Sequence, residues 1–151
     1  MGYWLLKTEP ETYGWKDLIS EGKTTWDGVR GGLALKNLAR MRPGDQAFVY
    51  HTGREKQIVG IAEVIREPYR DPNHPDSRLH VVDLVPVASL EKPVTLKEIK
   101  ERAKSQSDAK SANPWAGWDL LRIPRLSVVP VSKDQWEAIM SLSRGHEAKR
   151  T

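Results

Sequence analysis

Ile58-Val59-Gly60-Ile61-Ala62-Glu63-Val64-Ile65 is the stretch whose reading decides the fold. Apolar side chains fall on both of its faces, so a strand here must be covered on both sides and lie inside a sheet. Gly60 marks a bend or the close approach of another group. Upstream, Gln46-Ala47-Phe48-Val49-Tyr50-His51 reads as an apolar strand with polar ends, entered through the turn Pro43-Gly44-Asp45. Thr52-Gly53-Arg54-Glu55-Lys56 is the hairpin tip between the two strands. Downstream, a proline-rich loop from Pro68 to Ser77 leads to a strand from Val81 to Val87, whose end Pro86 places at a sheet edge.

Two more strands flank this middle. Tyr3-Trp4-Leu5-Leu6 is short and buried, and it runs into Lys7-Thr8-Glu9-Pro10, where proline ends the ladder and leaves Thr8 and Glu9 at a strand tip. The run from Leu126 to Val131 is the last strand. Helical spacing of Trp15, Leu18 and Ile19 predicts a short helix closed by Gly22. A second helix follows Gly31-Gly32, with Leu35, Leu38 and Ala39 inward. Thr95-Leu96-Lys97-Glu98 is a capping box that opens a third, through about Ala103. Ser132-Lys133-Asp134-Gln135 caps the last, which docks through Trp136, Ile139 and Met140. The polar stretch from Lys104 to Asn113 is expected to be mobile, and the tail from about Arg144 to fray. Strands with helices inserted between them predict a small mixed barrel of class α+β in a single domain.

Composition narrows the functional classes. In 151 residues, 38% hydrophobic and 29% charged, no apolar run is long enough for a bilayer. The first residues lack the basic leader of a signal peptide, so an intracellular, non-membrane protein is expected. With no cysteine there is no disulfide, thiol nucleophile or thiolate metal site. The formal charge of +4 permits nucleic acid without demanding it. Six Trp beside one Phe hint at a planar partner, although a Trp-rich core gives the same count.

Thr24-Thr25-Trp26-Asp27-Gly28-Val29-Arg30 concentrates chemistry suited to such a partner. An indole can stack on a planar ligand, a carboxylate can accept from its N–H edge, and a guanidinium can hold a phosphate. The plain alternative is an anchoring Trp followed by an ordinary turn. Lys36 and Arg40, four residues apart with Asn37 nearby, share the outer face of the second helix.

Four stretches in sequence resemble the EVE domain family: Tyr3 to Pro10, Trp26 to Arg30, Ile58 to Val64, and Arg125 to Val131. The resemblance runs from Tyr3 to about Leu142. It implies a PUA-like mixed β pseudobarrel of about five to six strands with peripheral helices. It also implies a pocket that takes a modified nucleobase out of a nucleic acid, with modified cytosine in DNA the foremost class. The family's pocket motifs fall on Thr8, Glu9 and Pro10, on Trp26, Asp27, Gly28, Val29 and Arg30, and on Tyr50 and His51. The chain departs from the family where an Asn and an aromatic usually follow the Trp26 motif; it has Gly31 and Gly32.

In that pocket Trp26 would stack on the base, and Glu9 or Asp27 would accept from an exocyclic amine. Backbone N–H groups near Thr8 and Gly28 would donate to a base carbonyl, while Val29 and Leu121 would form the wall that meets a methyl group. Arg30, Lys36, Asn37, Arg40 and Arg125 would make a phosphate-holding rim. The expectation is a monomeric, non-catalytic reader without cofactor or metal, cytoplasmic if bacterial and nuclear if eukaryotic. Its partner would be DNA or RNA carrying a modified base. The alternatives are an ASCH-like nuclease or glycosidic-bond hydrolase, with Glu9, Asp27 and His51 as acid and base, and an RNA-binding accessory domain. His74 and His80 with Asp71, Asp76 and Asp83 resemble a metal cluster in composition only; their prolines and spacing read as a solvated loop.

Overall fold

The computed structural model describes residues 1–105 and 113–145. Strand β1 (Tyr3–Thr8) runs parallel to β3 (Gln46–His51), from Tyr3↔Gln46 to Thr8↔His51. Parallel neighbours need a crossover, here built from α1 (Trp15–Glu21), β2 (Thr24–Trp26) and α2 (Gly32–Leu38). The hairpin after β3 returns as β4 (Gln57–Val64), antiparallel to it. The long β6 (His80–Thr95) pairs with the far side of β4, and β7 (Val128–Val131) lies antiparallel on β1. The order is β2-β6-β4-β3-β1-β7, with β5 (Tyr69–Arg70) pairing on β6. The stretch around Gly60 is therefore interior, as its two apolar faces require.

Helix α2 packs on both β6 and β7, near opposite ends of that order, so the sheet curls and α2 bridges its opening. This is the expected pseudobarrel, with seven strands rather than five or six. The additional ones are too short to show alternation. β2 is three residues long and β5 two, and only the β-branched pair Thr24-Thr25 hints at the former.

Pro86 does not end its strand. It lies opposite Ala62, and β6 continues to Thr95. β2 covers the outer edge of β6 only from Val82 to Leu84, so further along a residue without an N–H is tolerated. Register shifts between Ile58 and Gly60, and between Ile61 and Ala62, bend this long strand.

Two helices are rotated from their expected faces. On α1, Trp15 and Leu18 are buried but Ile19 is 49% exposed. On α2, Ala34, Asn37 and Leu38 turn inward while Ala39 is exposed. The cause is polar: Asn37 Nδ2 donates to the Val128 carbonyl on the β7 edge at 2.8 Å. Helix α3 (Leu96–Ser105) opens on the expected box, with Glu98 N–H donating to Thr95 Oγ1 at 3.0 Å and Thr95 N–H to Glu98 Oε1 at 3.1 Å. A four-residue α4 (Asp119–Arg122) precedes β7, and α5 (Lys133–Arg144), capped by Ser132, packs against β6. Of the stretch expected to be mobile, Lys104 and Ser105 finish α3; residues 106–112 and the tail beyond 145 lie outside the described residues. No helix among the described residues is long and apolar enough to cross a membrane.

Every tryptophan is at most 7% exposed, so the core accounts for the unusual count. Trp15 lies against Gly60, its indole N–H donates to Ser89 Oγ at 2.8 Å, and its backbone N–H to His51 Nε2 at 3.0 Å. Trp118 anchors the loop before α4 on the Pro130 carbonyl at 3.0 Å.

Candidate functional site

The C-terminal ends of β1 and β3 share one rim of the sheet. Matching residues of a parallel pair point to the same face, and neighbours alternate. Lys7 therefore shares a face with Tyr50, and Thr8 shares the other with His51. Each face opens onto a hollow, and Thr8 contributes to both.

On the Lys7 face lies a groove of about 550 Å³, walled by Glu9, Tyr50, Lys56, Leu96, Lys100 and Arg125, among others. Lys7 Nζ sits 5.6 Å from the Tyr50 ring centroid and donates to the Pro124 carbonyl at 2.7 Å. Burial lowers the Lys7 pKa and raises that of Tyr50. Charge in this groove is predominantly positive.

On the Thr8 face lies a smaller hollow of about 340 Å³, lined by Thr8, Thr12, Tyr13, Glu21, Thr24, Thr25, Trp26 and Asp27. Its charged residues are both acidic. Thr8 Oγ1 donates to the Tyr13 carbonyl at 2.6 Å, and the Tyr13 hydroxyl donates to Glu21 Oε1 at 2.6 Å. The Tyr13 ring meets Trp26 edge-on, with centroids 6.2 Å apart at 85°. Beneath them Asp83, buried in β6, accepts from Thr25 Oγ1 at 3.0 Å and from the Tyr69 hydroxyl at 2.7 Å. That carboxylate fixes β2 and hence the height of Trp26. The Trp26 indole N–H has no acceptor among the described residues, yet no described side-chain polar atom is buried without a partner. It therefore opens toward solvent beside the hollow.

Burial and the bond to Glu21 push the Tyr13 pKa up to about 12. A tyrosine whose folded-state pKa exceeds the unfolded value of about 10 contributes stability at neutral pH that is lost progressively as pH rises above that value. An ultraviolet pH titration of the folded chain should thus show a late phenolate phase that Tyr13→Phe reduces, leaving the part due to the buried Tyr50.

The expected site residues divide between these hollows. Thr8, Trp26 and Asp27 line the acidic hollow; Thr8, Glu9, Tyr50 and Arg125 line the basic groove. Pro10 is half-buried, and its carbonyl packs against Gly14. Gly28 takes a φ of 78°, the left-handed turn that frees the chain to leave β2. His51 has both ring nitrogens committed: Nε2 accepts from Trp15, and Nδ1 donates to Glu55 Oε1 at 2.7 Å. This bond holds the Glu55 carboxyl below its ordinary range.

Several residues lie away from both hollows. Val29 is 5% exposed and belongs to the core. Leu121 packs against the core while its neighbour Leu120 faces the groove, a one-residue offset set by α4. Asn37 is buried under α2 instead of standing at a rim. Arg30, Lys36 and Arg40 are exposed, and the Arg40 guanidinium lies 5.5 Å from the Trp4 ring centroid. Tyr13, Glu21, Lys56 and Lys100 were not singled out by sequence pattern. Tyr13 sits on a short turn with no periodicity, and each lysine looks alone like ordinary surface.

The chain matches the EVE domain family over residues 2–142. It is 30% identical over 166 residues to thymocyte nuclear protein 1 of Mus musculus, covering 93% of this chain and 73% of that protein. A protein of Rhodopseudomonas palustris is 35% identical and superposes with a TM-score of 0.83, covering 95% of this chain and 94% of the other. The human THYN1 protein, solved in complex with DNA containing 5-methylcytosine, is 26% identical with a TM-score of 0.84, covering 95% and 98%.

Proposed function

The chain belongs to the EVE domain family, and from that premise we propose that it is a non-catalytic nucleic-acid-binding module. It holds one everted pyrimidine, a modified cytosine in DNA, in the hollow beside Trp26. The observation that carries this reading is the pairing of an acidic, aromatic hollow with a basic groove across one shared residue, Thr8. The complex of a relative with methylcytosine DNA supports it.

The chemistry follows from the lining. Everting a base costs a few kcal/mol, which contacts inside the hollow must offset. Asp27 and Glu21 accept from an exocyclic amine such as cytosine N4. The free indole N–H of Trp26 donates to a carbonyl oxygen. At 7% exposure Trp26 offers only a strip of its ring, so the edge contact replaces a full stack. Threonine methyl groups at 8, 12, 24 and 25 give the weakly apolar wall that a 5-methyl substituent needs. Phosphates flanking the base meet the cations of the groove. With both ring nitrogens of His51 engaged, an acid–base role for that residue is disfavoured.

The test is a titration of oligonucleotides with and without 5-methylcytosine at one fixed salt concentration. About tenfold tighter binding of the modified strand is expected, the low end for one methyl in a fitted wall. Trp26→Ala should abolish most of the difference, whereas the exposed Asp27→Asn should weaken both strands, because both carry the amine it accepts from. Equal affinity of the parent chain for both strands would sink the reader assignment. Strand cleavage or base release that Glu9→Gln removes would instead favour an enzyme.

A further inference from the structure

The basic groove does not end at Tyr50. It adjoins a second hollow of about 590 Å³ lined by Arg54, Glu55, Lys56, Thr95, Leu96, Lys97, Lys100, Glu101 and Lys104, and the two share Lys56, Leu96 and Lys100. We propose that these joined hollows, between the β3–β4 hairpin and α3, are the track for the phosphodiester backbone of the bound strand. The surface that carries Lys36 on α2 and Arg40 in the turn beyond it is then not that track. The proposal rests on the nucleic-acid reading above but not on any choice of base.

Three observations carry it. First, Lys97, Lys100 and Lys104 follow one another on α3 at spacings of three and four, which puts their like charges on one helix face. Such pairs destabilise a helix, and Glu101 on the same face forms no ion pair with any of the three, so the row is not one that folding favours. Second, among the described residues Lys7, Lys56, Lys97, Lys100, Lys104 and Arg125 form no ion pair with a carboxylate; Lys36 and Arg40 form none either, but only the first six line the joined hollows. Third, Lys56 is the one non-glycine residue among those described with a positive φ, 46°. An L side chain is strained in that region, and such strain persists where the surroundings impose it, often at binding sites. Its carbonyl accepts from Leu96 N–H at 2.8 Å, which ties the hairpin to the start of α3 and fixes the floor shared by both hollows. A glycine would fit the backbone better, but it would carry no charge over that floor.

The conformation at Lys56 gives a test that unfolding cannot mimic. Lys56→Gly relieves the left-handed strain while removing the cation, so its thermal midpoint should match or exceed that of the parent. Its affinity for oligonucleotides should fall by the same factor whether or not they carry 5-methylcytosine. In salt titrations of the full-length chain with duplex oligonucleotides, Lys56→Gly and Lys100→Gln should each flatten the plot of log K against log salt by about 0.9. Over a tenfold rise in salt the variant's affinity should thus fall by a factor about eightfold smaller than the parent's. Lys36→Gln, on α2, should leave the slope unchanged.

Unchanged slopes for the two groove variants, with binding and base preference intact, would overturn the track and leave the reader standing. Altered slopes without any base preference would do the reverse. No binding by the parent chain at low salt would overturn both.

Discussion

Gly60→Ala is expected to destabilise the protein by about 3 kcal/mol, the upper part of the range for overpacking a filled core. The added Cβ would lie 2.3 Å from Cε2 and Cζ2 of Trp15 and 2.6 Å from its Cδ2. The neighbour is a fused ring, not the end of a flexible chain, and it is held from two directions. Its indole N–H bonds Ser89 on β6, and its backbone N–H bonds His51 on β3. Gly60 has no positive φ, so the penalty is steric; the lower entropy of an unfolded alanine works slightly the other way. For a chain of this length, a loss of that size lowers the melting temperature by about 6–12 °C. Thermal denaturation followed by near-ultraviolet circular dichroism reads it. A shift under about 2 °C would mean that the indole has room to move. Gly60→Ala combined with Trp15→Phe should cost less than the sum of the two changes, because the smaller ring vacates the contested space. Oligonucleotide binding should weaken too, since α1 and the preceding turn carry Tyr13 and Glu21 into the acidic hollow.

That glycine shows how far the sequence could be read. An apolar run interrupted by Gly60 was enough to predict an interior strand with a close neighbour, but nothing in the run names Trp15, 45 residues upstream, as that neighbour. Capping boxes at Thr95 and Ser132 were legible because a side chain and a backbone three residues apart complete them locally. The rotation of α2 was not, since it depends on Asn37 finding a carbonyl 91 residues away. The site divides along the same line. Thr8, Glu9, Tyr50, Trp26 and Asp27 stand on contiguous motifs at strand ends, and each lines a hollow. The basic wall is assembled from β1, the β3–β4 hairpin, α3 and the segment before β7, each contributing one to three cations that look unremarkable in their own stretch. Alternation could say that Lys7 and Thr8 point opposite ways. Only the parallel register with β3 says that Tyr50 joins the former and His51 the latter.

That register depends on Asp45, and Asp45→Asn is expected to cost about 3 kcal/mol at neutral pH, in the range for losing hydrogen bonds to a buried charged acceptor. The Asp45 carboxylate, 4% exposed, accepts from Gly2 N–H at 2.7 Å on one oxygen, and from the Trp4 indole and the Arg42 N–H, each at 2.9 Å, on the other. An amide has one acceptor oxygen, so asparagine must turn its NH2 group toward at least one of these donors. Burial alone would raise the Asp45 pKa, but these hydrogen bonds outweigh it and hold the carboxyl below its ordinary value. The sign of the pH dependence follows. A carboxyl depressed in the folded state contributes stability that is complete above its unfolded pKa of about 3.9 and is lost as pH falls through the folded value. Urea denaturation of parent and variant should therefore show the full gap at pH 7, narrowing below about pH 4 as the parent loses its carboxylate. A gap that stays constant into acid would show that packing, not charge, is what asparagine disturbs. The consequence reaches the site because Asp45 ties the start of β1 to the start of β3, where Tyr3 pairs with Gln46. A slip of one residue there would exchange the faces of every side chain along β1. Lys7 would leave the basic groove and Thr8 would no longer join the two hollows, so a variant that still folds should lose base preference and backbone affinity together.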